Sequence, residues 1–219
     1  MKKLFFILIL IVFYPNFSLR AACPENYPTP KIEFYTSYGK LQYDFTKSIE
    51  EITSMTKKTE LKEKGLFASG LTAIKINMDI SLNSTVKQLN KKTYCIYPKD
   101  VKLSIYYKDP TIYIANSLKP NTCEYNVVLR HEQAHVQINK TALDYFIPLF
   151  HKAAIEIFKS IKTREVNSKL QTKQASQEIA EEFDLKFTPI YNYFKQQIFT
   201  EQQKLDNDNN YKYESSICR

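Results

Sequence analysis

The stretch Asn121–Asn139, NTCEYNVVLRHEQAHVQIN, decides how the rest of the chain is read. It holds His131-Glu132-Gln133-Ala134-His135, a His-Glu-x-x-His pattern. The chain has only three histidines, so two of them fall within five residues. On a helix, residues four apart share a face about one turn apart. Both imidazoles can then reach one metal ion, while Glu132 points to the side, where it can act on a water polarised by that ion. Asn121 is the expected N-cap, and Glu124 three residues later completes a capping box. Val127, His131, Ala134, His135, Ile138 and Ala142 share a face at helical spacing, which puts the histidines in an apolar stripe. Buried imidazoles without a partner are costly, and a metal removes that cost. Arg130 and Gln137 fall elsewhere on the wheel and are expected in solvent.

Outward from this stretch, the pattern before it is that of strands. Lys31–Tyr38 alternates Ile32, Phe34, Thr36 and Tyr38, and Gly39 marks a turn before Leu41–Phe45. A short helix should follow, with Thr46 as its N-cap and Ile49, Ile52 and Met55 on one face. Leu71–Leu82 alternates Ile74, Ile76, Met78, Ile80 and Leu82. Val101–Tyr107 and Thr111–Ala115 read as two further strands separated by Asp109-Pro110. Thr111–Ala115 is also a candidate sheet edge, where an extended peptide would add by β-augmentation. Downstream the period becomes helical. Pro148 should kink or end the motif helix, because its ring opposes the carbonyl of Asp144. Helices around Leu149–Ile161 and Val166–Phe183 are expected next. Pro189 should interrupt the chain again before a last helix through Ile198 and Leu205. Strands first and helices after predict an α+β fold with a small, mostly antiparallel sheet.

Composition bounds the function. A chain of 219 residues fits one domain, with Tyr and Phe (16 and 14) ample for a core. Three glycines, with no G-x-G-x-x-G or G-x-x-x-x-G-K pattern, argue against a glycine-rich phosphate loop. Lys2 and Lys3, the apolar run Leu4–Tyr14 and the small pair Ala21-Ala22 read as a signal peptide over 1–22. This leaves a single domain over 23–219 that is exported to the periplasm or secreted. Without Lys2, Lys3 and Arg20, 28 basic face 23 acidic residues, a net charge of +5. That permits loose association with anionic envelope surfaces, but no nucleic-acid recognition module accompanies it. Cys23 follows the small residues as a lipid-anchored cysteine would, yet Arg20 stands where lipidation expects an apolar residue. Four cysteines in an exported chain suggest two disulfides. Spacing leaves three pairings open, and the reading leans to Cys95–Cys123 with Cys23–Cys218.

The motif on a capped helix resembles the active helix of the zincin metallopeptidases. That resemblance implies Zn2+ held by His131 and His135, with Glu132 as general base, and a peptide or protein as substrate. Thr141 stands where metzincins carry a third histidine, so that subclass does not fit. The layout is more similar to small secreted bacterial proteins predicted to be zinc-dependent proteases. The matching pieces are Phe34–Phe45, Leu71–Ile80, Tyr94–Tyr107 and Leu129–Ile138. The motif lacks a third ligand. His151, Glu156, Glu165, Glu178, Glu181, Glu182, Asp206, Asp208, Tyr211 and Cys218 are the candidates. Two other readings use the same residues differently: a disulfide-stabilised periplasmic binding or envelope protein with an inactive motif, and a metal-dependent amidase for cell-wall peptides.

Overall fold

The computed structural model describes Cys23, residues 31–56 and residues 67–219. The expected signal peptide and the proline-bearing lead-in after Cys23 lie outside the described residues. Along the chain the elements are β1 (Lys31–Ser37), β2 (Gln42–Asp44), α1 (Ile49–Met55), β3 (Gly70–Gln88) and β4 (Tyr94–Ile114). Then come α2 (Cys123–Ser160), β5 (Arg164–Val166), α3 (Gln171–Leu205) and α4 (Asp208–Ser216). The class is α+β, as the pattern change at Asn121 requires.

β4 is the axis of the sheet. β3 pairs antiparallel along almost its whole length, from Gly70↔Ile114 to Gln88↔Tyr94. β5, β1 and β2 pair with Tyr94–Ile96, Asp100–Tyr106 and Thr111–Tyr113 in succession. Since β3 already occupies one edge of these residues, the three short strands share the other. The sheet is therefore mixed: β1 and β2 run parallel to β4. This corrects the expectation of a mostly antiparallel sheet, which assumed that neighbours in sequence pair through short turns. Parallel pairing needs a long connection, and the chain through α1 and β3 provides it. Thr111–Ala115 is likewise no edge, because Ile112 lies between Tyr43 and Thr72. Nor does Asp109-Pro110 end a strand. Asp109 takes a positive φ of 46°, and the register shifts opposite it between Ala73 and Lys75. Such a bulge absorbs the proline without breaking the strand.

Alternation along β4 buries Val101, Leu103, Ile105, Ile112 and Ile114 on one face. Ile74, Ile76, Met78, Ile80 and Leu82 of β3 pack against the same core, as their spacing predicts. α2 and α3 cover this face. Phe146 meets Phe194 and Phe150 meets Phe187, with ring centroids 5.2 and 5.7 Å apart, so the two helices are antiparallel. Each fully buried phenylalanine contributes about 1.5–3 kcal/mol, and Phe150, Phe158, Phe183, Phe187 and Phe194 are all fully buried.

The prolines do not divide the helices as expected. α2 continues through Pro148 and α3 through Pro189. Both prolines are exposed. The carbonyls they leave without an amide partner belong to Asp144 and Leu185, also exposed, where water can serve instead. The buried phenylalanines on the opposite face hold each helix on the sheet. The caps also shift. Thr122, rather than Asn121, accepts from Tyr125 N, and Asn121 adopts a φ of 66°. At α1 the capping box is Ser48 with Glu51, while Thr46 bonds to Asp44.

The disulfides are Cys23–Cys95 and Cys123–Cys218, not the pairing favoured by the sequence. Cys95 lies near the start of β4, and Cys123 follows its far end. At about 3.3 Å per residue, the intervening strand spans on the order of 60 Å, far beyond the reach of a disulfide. Cys23 Sγ is occupied by Cys95, so it is not available for a lipid thioether. Two disulfides fit an extracellular or periplasmic protein, and no helix among the described residues is long and apolar enough to cross a membrane.

Candidate metal centre

The antiparallel packing of α2 and α3 brings the end of α3 against the first half of α2. His131 and His135 project from α2 one turn apart, and Asp206 follows the last residue of α3 as its C-cap. His131 Nε2 lies 3.1 Å from His135 Nε2. Asp206 Oδ1 lies 3.2 Å from the first and 3.1 Å from the second. Ligands about 2 Å from a tetrahedral ion are separated by roughly 3.3 Å, so the three atoms are spaced as one face of such a site. These residues form a group that can hold a metal ion.

The outer nitrogens support the same reading. His135 Nδ1 is hydrogen-bonded to Gln202 Oε1, and Gln202 Nε2 donates to His135 O at 3.1 Å. Glu214 Oε2 of α4 lies 2.9 Å from His131 Nδ1. It sits off the ideal N–H line, so that buried Nδ1 makes no well-aligned hydrogen bond, and the Glu214 charge is what compensates it. With acceptors beside both Nδ1 atoms, the Nε2 lone pairs are directed at the common point. Tyr211 donates to Asp206 Oδ1 at 2.8 Å and stacks on His131, with ring centroids 5.5 Å apart.

Glu132 occupies another direction on α2. It is 5% exposed and faces the sheet. Thr72 Oγ1 lies 2.8 Å from both Glu132 Oε2 and the Glu132 carbonyl. A Cβ on Gly70 would stand 2.6 Å from Glu132 Oε1 and from Val128 Cγ1, so β3 approaches the carboxylate closely only because residue 70 is glycine. The buried residues of this half of α2 are thus His131, which the expected stripe included, with Glu132, Val136, Asn139 and Leu143. The set is rotated from the expected stripe through Val127, Ala134 and Ile138, which are half-buried.

Electrostatics follow from this packing. Burial would strip protons from both imidazoles, but nearby acceptors outweigh it and both pKa values are raised. Asp206, Glu214 and Glu132 act on His131; Asp206, Gln202 and Glu132 act on His135. Burial would also raise Asp206, yet the two imidazoles and Tyr211 hold it well below the usual carboxylate range. Burial raises Glu132 above its ordinary value against the opposing pull of Thr72 and the imidazoles. Burial and the Asp206 charge keep the Tyr211 hydroxyl protonated.

Among the proposed third ligands, Asp206 and Tyr211 reach the centre. His151 lies sixteen residues beyond His135 on the same continuous helix, roughly 24 Å away. Glu182 is bound to Arg164 and Lys186. Glu178 and Glu181 accept from Gln174 and Gln177 on the helix surface. Glu156 and Asp208 are exposed, Glu165 belongs to β5, and Cys218 is in a disulfide. Sequence reasoning did not find Gly70, Thr72, Gln202 or Glu214. They lie 60 to 83 positions from the motif residues they touch, and no spacing rule connects them. Comparison with family models, curated proteins and solved structures finds no match.

Proposed function

We propose that this chain is an exported zinc-dependent hydrolase of the zincin-like metallopeptidase kind, acting on peptide bonds. The observation that carries the reading is the triangle of His131 Nε2, His135 Nε2 and Asp206 Oδ1, 3.1–3.2 Å on each side. Two imidazoles and one carboxylate are a donor set suited to Zn2+ with a coordination position left open. When bound, zinc supplies Lewis acidity: it brings the pKa of a water towards about 7 and polarises a carbonyl. Glu132 takes the proton from the attacking water and returns it to the leaving amine. Burial raises its pKa above the ordinary carboxylate value, which makes it a stronger base. Thr72 holds its carboxylate, and Tyr211, kept protonated, holds the carboxylate of Asp206. The signal peptide at 1–22 belongs to the same reading, since the disulfides require an oxidising compartment.

The test begins with metal analysis of the purified protein, where close to one zinc per chain is expected and none would sink the reading. Hydrolysis of unfolded protein and of cell-wall peptides is then compared for wild type and Glu132→Gln. The variant is expected to keep its zinc and lose activity. Cleavage confined to cell-wall peptides would move the assignment to the amidase class.

A further inference from the structure

We infer that Glu214 is the positioning residue that sets His131 as a ligand, and that the Cys123–Cys218 disulfide delivers it, so metal affinity depends on this bond. The inference rests on the metal site proposed above. α4 contains no buried residue, so packing does little to hold it. At its start it is tied to the end of α3, where the side-chain amides of Asn207 and Asn210 donate to the carbonyls of Lys204 and Leu205. Beyond its end, Cys218 is bonded to Cys123, the first residue of α2 and two helical turns before His131. Between these two anchors α4 presents two side chains to one imidazole. Tyr211 stacks on the ring of His131, and Glu214 lies 2.9 Å from Nδ1.

A metal-binding histidine whose other nitrogen faces a carboxylate is held in one tautomer and orientation, and its basicity rises. Gln202 provides a neutral acceptor at His135, so Glu214 is the charged partner of the pair. The tether acts through proximity. With Cys123 and Cys218 joined, Glu214 stays near His131 at a high effective concentration. With the bond reduced, a helix without buried residues is released from its far end. The same cysteines therefore couple oxidation of the exported chain to completion of the site.

The experiment is competitive titration of the metal-free, full disulfide-bonded protein with Zn2+, and with Co2+ to follow its ligand-field absorption. Glu214→Ala is expected to weaken Zn2+ binding about 10–100-fold and to alter the Co2+ spectrum. Glu214→Gln, which keeps the shape of the side chain but not the charge facing Nδ1, should recover little of the loss. The Cys123→Ser/Cys218→Ser double variant should lose affinity similarly with an unchanged far-UV circular dichroism spectrum. Wild-type affinity in a folded double variant would overturn the role of the disulfide; if that variant unfolds, Cys218→Ser alone and the reduced wild type are titrated in its place, and Glu214→Ala decides the role of Glu214. Wild-type affinity in Glu214→Ala would overturn this inference alone. Failure of the wild type to bind either ion would overturn it together with the proposed function.

Discussion

Thr72 Oγ1 lies 2.8 Å from Glu132 Oε2, joining β3 to the motif helix across 60 positions of sequence. The hydroxyl donates to a carboxylate that is buried beside the sheet. Thr72→Val keeps the shape and removes the donor. A buried acceptor without its partner costs about 1–3 kcal/mol, which lowers Tm by several degrees. Thermal melts should show that loss, with restoration by Thr72→Ser. Hydrolysis should fall with unchanged zinc content, since no metal ligand is touched.

Gly70 tests the same wall from the other side. A methyl group there meets Glu132 Oε1 and Val128 Cγ1 at 2.6 Å. Gly70→Ala is therefore expected to displace the carboxylate and to destabilise the fold by about 1–3 kcal/mol, as overpacking does. Wild-type melting and activity in this variant would show that β3 does not press on Glu132.

Asp206 completes the triangle, so Asp206→Ala should lose zinc where exposed acids do not. Zinc content is measured after dialysis for Asp206→Ala, His135→Ala and, as a control, Asp208→Ala. The first two should be depleted and the control loaded. Full loading of Asp206→Ala would require another third ligand.

The metal-free protein should respond to pH in an unusual direction. His131 and His135 have folded pKa values raised above the ordinary 6.5. Their stabilisation is present below that value and is lost as pH rises through the folded values. Glu132, raised above 4.5, has the same sign. Asp206 is depressed below 3.8, so its contribution is present above that value and lost only in stronger acid. The two imidazoles and Asp206 together favour the chelated protein between about pH 4 and 6.5, while the Glu132 contribution fades above 4.5. Zinc requires neutral imidazoles and displaces those protons, so its stabilisation grows with pH. Melts with chelator should be higher at pH 6 than at pH 8, and added zinc should raise Tm more at pH 8. The opposite order with chelator would contradict the assigned shifts.

Peptide mapping under non-reducing conditions should recover Cys23–Cys95 and Cys123–Cys218. Removing Cys95 should cost about 2–5 kcal/mol. Recovery of Cys95 linked to Cys123 would require a different sheet, because β4 separates them.

The motif, its helix and the alternating strands were legible in the sequence because local periodicity encodes them. Ile74–Leu82 and Val101–Ile105 must alternate to bury one face, and two histidines four apart must share a side of any helix that contains them. Sequence also bounded the third ligand to the chain after Pro148, with Asp206 and Tyr211 among the candidates. It did not decide which candidate mattered. That depended on α3 continuing through Pro189 so that its C-terminal end returns to the start of α2, and on aromatic packing around Phe150 that sets the two helices antiparallel. It also did not decide the parallel pairing of β1 and β2, the true cysteine partners, or the contacts of Thr72 and Glu214. Those are relations between distant segments, fixed by how burial is shared across the whole chain. The sequence by itself placed His131, Glu132 and His135 together on one helix; tertiary structure decided that Asp206 meets the two imidazoles and that Gly70, Thr72, Gln202 and Glu214 pack around this group.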